Sequence, residues 1–397
     1  MTDRESSQTL IPTSLAEIVS TLGSSPSGSR QNEFERNALL IDANDDSQIT
    51  QAFIQKYRTR PSTERAFRKE VTRFLFWCKL QGLTYSKVRT TNLSQYLKFC
   101  ATVGERYPQF VGPVVPQFLP NGMPNPKWKP FLRSLSLQGV SYASVVLQTF
   151  FKYMCDAKYL YGNPWKLLSD DEKRPAPQLA TADRALVIQT KSLSSDAVRI
   201  LLQEIDDLRY GSELERRHQP RASFLFRFLF CTGARRSELA NAKMTDIKEI
   251  PPGRFAWKVI GKGNKEGWVA LGPNLIEHFK QFRLSLGLTA LPQPDENTPL
   301  ISDVRNMNKP LTADAIYKIV KSTFVLIASK IELRHPDTAD QLQKATTHWT
   351  RHTFGIELSK RNSPFLTRDQ MRHSSMSTTD IYTQGTVDER FSAVIDL

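Results

Sequence analysis

Proline placement sets the first limit on how this chain can fold. Between Tyr107 and Pro130 stand Pro108, Pro113, Pro116, Pro120, Pro124, Pro126 and Pro130. A residue with no N–H donor and a fixed φ cannot continue a helix, so this segment is expected to be a long loop or insertion. The sequence around it reads as helix. Ser62 and Thr63 follow Pro61 as N-cap candidates, and Phe67, Val71, Phe74 and Cys78 then share one helical face. The other face carries Arg65, Arg68, Lys69 and Arg73, which are candidate DNA contacts. Further helices are expected from Asn92 to near Val103 and from Ser141 to Lys158, ending before Asn163-Pro164-Trp165. Residues 49–168 therefore form a helical domain.

A second cluster of punctuation follows. Ser169 to Thr190 mixes charge with Pro175 and Pro177 and has no clear periodicity, as expected of an interdomain linker over 169–190. The second domain, 191–397, opens with Ser194 as an N-cap candidate for the helix SSDAVRILLQEIDDL. The run RASFLFRFLFCTG is apolar enough to be the centre of a core. Two strand-like runs, Arg254–Ile260 and Gly267–Leu271, flank the turn-rich GKGNKE. Helical patterns return near Leu275–Leu284, Ala313–Lys330, Thr347–Lys360 and Thr367–His373. The expected fold class is mainly α with a small antiparallel β-sheet (α+β) in the second domain.

Charge narrows the function. Lys+Arg number 54 against 40 Asp+Glu, a net charge of +14. Residues 1–48 carry three basic and eight acidic side chains, so the rest of the chain holds +19. A strongly basic body points to nucleic acid as partner. The acidic segment, which includes the low-complexity Gly23–Ser29, is expected to be largely disordered and to serve as an accessory-protein contact. Within it, Leu15, Ile18, Val19 and Leu22 have the spacing of a transient helix. No uncharged apolar run approaches the ~18 residues that span a bilayer. The N-terminus lacks the pattern of a secretory signal. A cytoplasmic protein without a membrane partner is expected. Cys78, Cys100, Cys155 and Cys231 form no C-x-x-C pair, which argues against a disulfide framework or a cysteine zinc site.

Three segments of the second domain carry the chemistry. They are Thr232-Gly233-Ala234-Arg235-Arg236-Ser237-Glu238-Leu239, Gly261-Lys262-Gly263-Asn264-Lys265, and the run from His348 through Arg351, His352 and His373 to Tyr382. In this order, with an offset of nine from His373 to Tyr382, they resemble the tyrosine recombinase (phage integrase) family. The helical first domain with its NPW ending resembles that family's core-binding domain. The resemblance implies a two-domain DNA clamp that cleaves and rejoins DNA strands through a 3′-phosphotyrosyl intermediate and a Holliday junction. Four copies would hold two recombination sites, for integration, excision or resolution of a mobile element. Neither metal nor other cofactor is implied, and the setting would be the nucleoid of a prokaryotic cell.

The residue types suit that reaction. A phenol that attacks phosphorus conserves the bond energy as a phosphotyrosine ester, and Tyr382 fills that position. Charge gathering on the non-bridging oxygens matches planar guanidinium groups, for which the motifs supply Arg235 and Arg351. The leaving 5′ oxygen needs a proton, and Lys262 in the hairpin turn occupies the general-acid position, with Lys265 as its nearest competitor and a DNA contact. His348 matches the histidine that binds the scissile phosphate and helps remove the phenol proton, and His373 matches the second phosphate-contacting histidine. Glu238 is expected to orient these groups, His352 to pack or stabilise its helix, and Arg236 to make contacts elsewhere. Val387, Phe391, Val394 and Ile395 form an apolar stripe after Tyr382, expected to pack into a neighbouring protomer.

Some positions depart from the family pattern. Ala234 stands where a larger hydrophobic residue is usual, Gly267 where an arginine is common, and Arg372 where a glycine usually precedes the second histidine. Rival readings are few. His348 and His352 have the i, i+4 spacing of a zinc pair, but Trp349 replaces the needed glutamate and Arg351 would repel a cation. A type IB topoisomerase shares the catalytic residues but not the helical first domain, and a catalytically silent DNA-binding regulator would have little use for all six groups.

Overall fold

The computed structural model describes residues 40–43, 45–123, 125–176, 186–208, 217–250, 252–261, 266–373, 378–379 and 382. Contacts divide the chain between Gln178 and Leu179 into two compact units. The helix expected near Leu15–Leu22, Gly23–Ser29, Lys262, Lys265 and the stripe from Val387 to Ile395 lie outside the described residues.

The first unit is built on α1 (Asp46–Gln55), α2 (Pro61–Leu80), α3 (Thr90–Arg106) and α4 (Leu137–Asp156). Within the expected acidic segment, residues 45–48 are already folded. Asp45 caps α1 by accepting from the Gln48 N–H at 2.8 Å. Asp46 is buried and accepts from the Tyr85 N–H (2.9 Å) and the Tyr159 hydroxyl (2.8 Å), so it is part of the core rather than of a tail. Helix α2 starts at Pro61 itself, without a side-chain cap from Ser62 or Thr63. Proline suits the first helical position, where its fixed φ is preorganised and its missing N–H has no partner to lose. Helix α4 begins at Leu137, earlier than the periodicity indicates, because Ser136 caps it.

Aromatic rings fill this core. Phe74 meets Tyr96 edge-on at 4.9 Å between ring centroids, and Tyr85 meets Phe150 at 5.3 Å, in the T-shaped geometry that ring quadrupoles favour. The proline-rich segment contains one 3₁₀ turn, Pro108–Phe110, and is pinned by buried Phe110 and Phe131. Of the candidate basic face, Arg65, Arg68 and Lys69 are exposed, although Arg68 pairs with Glu64 at 2.5 Å. Arg73 is a correction. It is buried, donates through Nε to the Pro130 carbonyl (2.8 Å), pairs with Glu70 (3.0 Å) and lies 4.7 Å over the Phe131 ring, so it anchors the proline-rich segment instead of facing DNA. The start of the expected linker is also folded: Asp170–Lys173 forms a helical turn, and Glu172 accepts from the Ser94 hydroxyl of α3 at 2.6 Å.

The second unit contains α5 (Ser195–Asp206), α6 (His218–Thr232), α7 (Arg236–Ala240), β1 (Ile247–Glu249), β2 (Phe255–Ile260), β3 (Glu266–Leu271) and α8 (Pro273–Ser285). After them come β4 (Ser302–Asp303), β5 (Asn306–Pro310), α9 (Ala313–Ile331), α10 (Pro336–Lys344), α11 (Thr347–Arg361) and α12 (Pro364–Met371). Strands β1, β2 and β3 form an antiparallel sheet in that order, with Trp257 opposite Val269 and Val259 opposite Gly267. The apolar helix α6 packs against α5, α8 and α11, burying Phe224, Leu225, Phe226, Phe228 and Leu229. Each such side chain contributes roughly 1.5–3 kcal/mol on leaving water, so α6 is the axis on which the rest of this unit is fixed. Ser194 caps α5 by accepting from the Ala197 N–H at 3.1 Å. Strand β1, the β4–β5 ribbon and α10 are short elements that the sequence pattern did not reveal. Among the described residues no helix is long and apolar enough to cross a membrane, and no group of three or more His, Cys, Asp or Glu could hold a metal ion.

Candidate active site

Two chain reversals in the second unit present the charged residues. The first ends α6 at Gly233, whose φ of +58° is left-handed. A Cβ there would lie 2.5 Å from Phe354 Cδ1, so glycine is required both by the turn and by the close approach of α11. Arg235 follows as N-cap of α7. Its Nη1 donates to Glu238 Oε1 at 2.9 Å and its backbone N–H donates to Oε2 at 2.8 Å, leaving the side chain 41% exposed.

The second reversal ends α12 at Arg372, where φ is +55°. The His373 N–H bonds back to the Arg368 carbonyl and the Arg372 N–H to that of Asp369, a Schellman arrangement with a non-glycine residue in the left-handed position. His373 is thereby turned out of the helix and buried, with Nδ1 2.9 Å from the Thr379 hydroxyl.

Arg351, on α11, ties the two reversals together. It is 6% exposed and donates through Nη1 to the Gly233 carbonyl and through Nη2 to that of Met371 at 2.7 Å. Burial and then the charge of Arg235 lower its pKa to about 10, so it is a full cation at neutral pH. Burial pushes the Glu238 carboxyl up, but Arg372 and the bonds from Arg372 and Arg235 outweigh that and hold it below the ordinary range. Two guanidinium groups, those of Arg235 and Arg372, thus share one carboxylate.

The histidines add no charge at neutral pH. Burial, followed by His348 and Arg351, brings His352 down to about 4, and burial, followed by Arg351 and Arg235, does the same for His373. His348 is exposed at the rim and is also lowered, by desolvation and by Arg236, Arg351 and Arg235.

Tyr382 closes the group. It is 8% exposed, and its ring stacks on His373 at 5.8 Å between centroids and 13° between planes. Its hydroxyl lies 2.9 Å from His352 Nδ1, while its carbonyl accepts from the Ser359 hydroxyl at 2.7 Å. Gly355 makes room for it, because a Cβ there would lie 2.8 Å from two Tyr382 ring carbons. Burial raises the phenol above its ordinary range, with Arg351 and Arg235 opposing.

The structure therefore brings Arg235, Glu238, Arg351, His352, His373 and Tyr382 together, with His348 at the edge. His352 is not only a packing residue, since its ring meets the phenol. The signal was present in the sequence as His352, Gly355 and Ser359 on one face of α11. Arg236 goes elsewhere, to Asp314 at 3.6 Å and over the Tyr317 ring.

Taken over the whole chain, the fold is that of site-specific recombinases and integrases. A XerH site-specific recombinase bound to palindromic difH substrate, in a post-cleavage complex, superposes with a TM-score of 0.59 over 96% of this chain and 95% of that one, at 19% identity. The Tn1549 transposon integrase in complex with a circular intermediate DNA gives 0.52 over 88% and 99%, at 14% identity. In sequence, the tyrosine recombinase XerD of Staphylococcus saprophyticus is 28% identical over 207 residues, which cover 51% of this chain and 64% of that protein's length. XerD of Staphylococcus aureus (strain Mu50) is 27% identical over 257 residues, or 62% and 73%. The profile of the phage integrase family matches residues 191–389. The chain belongs to the phage integrase family of tyrosine recombinases.

Proposed function

We propose that this protein is a site-specific DNA recombinase that cuts and rejoins DNA strands with Tyr382 as nucleophile. The observation that carries the reading is a surplus of guanidinium charge, from Arg235 and Arg351, gathered in one fold with a single tyrosine and two uncharged histidines. Relatives named as tyrosine recombinases and neighbours solved as DNA complexes support it.

In this mechanism Tyr382 Oη attacks the scissile phosphorus and the P–O5′ bond breaks, giving a 3′-phosphotyrosyl ester and a free 5′ hydroxyl. The phenol proton passes to His352 Nδ1, which already lies 2.9 Å away and is neutral above about pH 4. His348 then serves the scissile phosphate. Arg235 and the outward donors of Arg351 match the charge that builds on the non-bridging oxygens. Lys262, which follows β2 in the sequence, delivers the proton to the leaving oxygen. Attack by a 5′ hydroxyl from another strand reverses the chemistry.

Two rounds of this exchange, by four copies holding two sites, would pass through a Holliday junction and integrate, excise or resolve a mobile element in the cytoplasm of a prokaryotic cell. Arg65, Arg68 and Lys69 would grip the duplex, and the acidic segment would meet an accessory protein. The test is covalent trapping on nicked suicide duplexes drawn from around the protein's own gene, in EDTA and without ATP. An adduct that survives denaturing gels and is missing in Tyr382→Phe supports the reading. Tight, specific binding without any adduct overturns it in favour of a regulator.

A further inference from the structure

Arg372 occupies a costly backbone position and uses its side chain in an unusual way. A non-glycine residue at φ +55° is strained by its Cβ, and a helix end of this shape ordinarily takes glycine. The side chain returns something for that strain. It is 13% exposed, its Nη2 donates to Glu238 Oε2 at 2.6 Å, and its guanidinium lies 5.8 Å over the Trp257 ring of β2. Its stem crosses β3 at Gly267, where a Cβ would lie 3.2 Å from Arg372 Cδ and 3.7 Å from Cγ. Gly267 therefore supplies the space that Arg372 occupies. Glu238, in turn, has only two cationic partners among the described residues, Arg235 on one oxygen and Arg372 on the other.

We infer that Arg372 and Gly267 are a matched pair, in which an arginine delivered from the end of α12 across an empty position on β3 holds Glu238 and, through it, sets the guanidinium of Arg235. Arg372 is a positioning residue. Its guanidinium is turned onto Glu238 and Trp257, and it acts on the Arg235 donors by keeping their shared carboxylate ionised and fixed. These are two of the three positions at which the sequence departs from its family's pattern, and the geometry explains why the departures occur together. An arginine needed beside Glu238 comes from the helix side, and the strand position it crosses has no side chain. The inference rests on the recombinase reading.

The experiment uses full-length protein and the suicide duplex under single-turnover conditions, recording the rate of adduct formation from pH 5 to 9. Arg372→Gly should slow adduct formation about 10- to 100-fold, the range for losing a residue that orients a reacting group, with duplex affinity unchanged on a Tyr382→Phe background. Its acid limb should move to higher pH, since burial then governs Glu238 with one cation fewer. Arg372→Gln, which keeps the backbone conformation and the stem over Gly267, should give the same rate loss and decides the matter if the glycine variant does not fold. The double variant Gly267→Arg with Arg372→Gly should recover most of the lost rate by growing the guanidinium from β3. Wild-type rates and an unmoved acid limb in both single variants would overturn the inference while leaving the recombinase reading intact. A wild type that forms no adduct would instead remove that reading, and the inference with it.

Discussion

Two arginine–carboxylate groupings of the second unit differ in a way that separates scaffold from site. At Arg283 the side chain is fully buried, both Nη atoms reach Glu296 (2.6 and 2.7 Å), and Nε and Nη2 end on the carbonyls of Thr289 (2.8 Å) and Leu291 (3.2 Å). One cation faces one anion and every nitrogen is used. At Glu238 one carboxylate serves both Arg235 and Arg372, while Arg351 spends its bonds on neutral carbonyls. The first grouping is closed and neutral. The second is left with unbalanced positive charge, one arginine reaching solvent and, among the described residues, no second carboxylate paired with it. Arg73 in the first unit is buried as Arg283 is, although its partner Glu70 is also reached by the exposed Lys69 at 3.3 Å. Folding alone gains nothing from an unbalanced cluster, because partly buried like charges repel; an anionic ligand restores the balance.

The largest effect that would test this contrast is loss of the nucleophile. Tyr382→Phe should abolish the covalent adduct on denaturing gels while leaving duplex binding in place. Next, Arg283→Ala should cost about 3–5 kcal/mol of stability in urea unfolding, since it removes the fully buried member of the pair and with it the bonds to Glu296 and to the Thr289 and Leu291 carbonyls. Arg235→Ala should do the reverse, slowing adduct formation ~10²–10³-fold with little change in melting temperature, because its side chain is 41% exposed. If both variants lost stability alike, the distinction between closed and open groupings would collapse. A smaller effect is expected of Gly355→Ala, which should cost about 1–3 kcal/mol by overpacking and slow cleavage by pushing the Tyr382 ring.

The smallest effect is on pH dependence. His352 and His373 bind protons in the fold only near pH 4, against an ordinary value of 6.5, so between those limits the unfolded chain holds more protons than the folded one. The stability they contribute is complete above about 6.5 and is lost as the pH falls toward 4. Melting temperature should decline over that window, and His373→Gln should flatten the decline. A decline of the same slope in that variant would mean that other groups are responsible.

Much of this was legible in one sequence. The apolar run in α6, the cap at Ser194, the hairpin flanking GKGNKE and the break at the proline-rich segment are local features, read from spacing and from what proline and serine can do. The motif residues were legible for the same reason. What could not be read was the direction of long side chains. Arg73 has the helical spacing of a surface residue, yet it turns inward because the Pro130 carbonyl and Phe131 ring meet it from 57 residues away. Strand β1 and the β4–β5 ribbon carry too few residues for a pattern, and they exist through pairing alone.

The sequence by itself determined which residue types stand at which offsets, and hence the chemistry they can support. The tertiary structure decided which of them meet. It set His352 rather than His348 against the phenol, gave Arg351 the task of joining two chain reversals, and joined Glu238 to Arg372 across 134 residues. Composition and periodicity report the face of an element, but contacts over such separations depend on how helices pack and where the backbone turns.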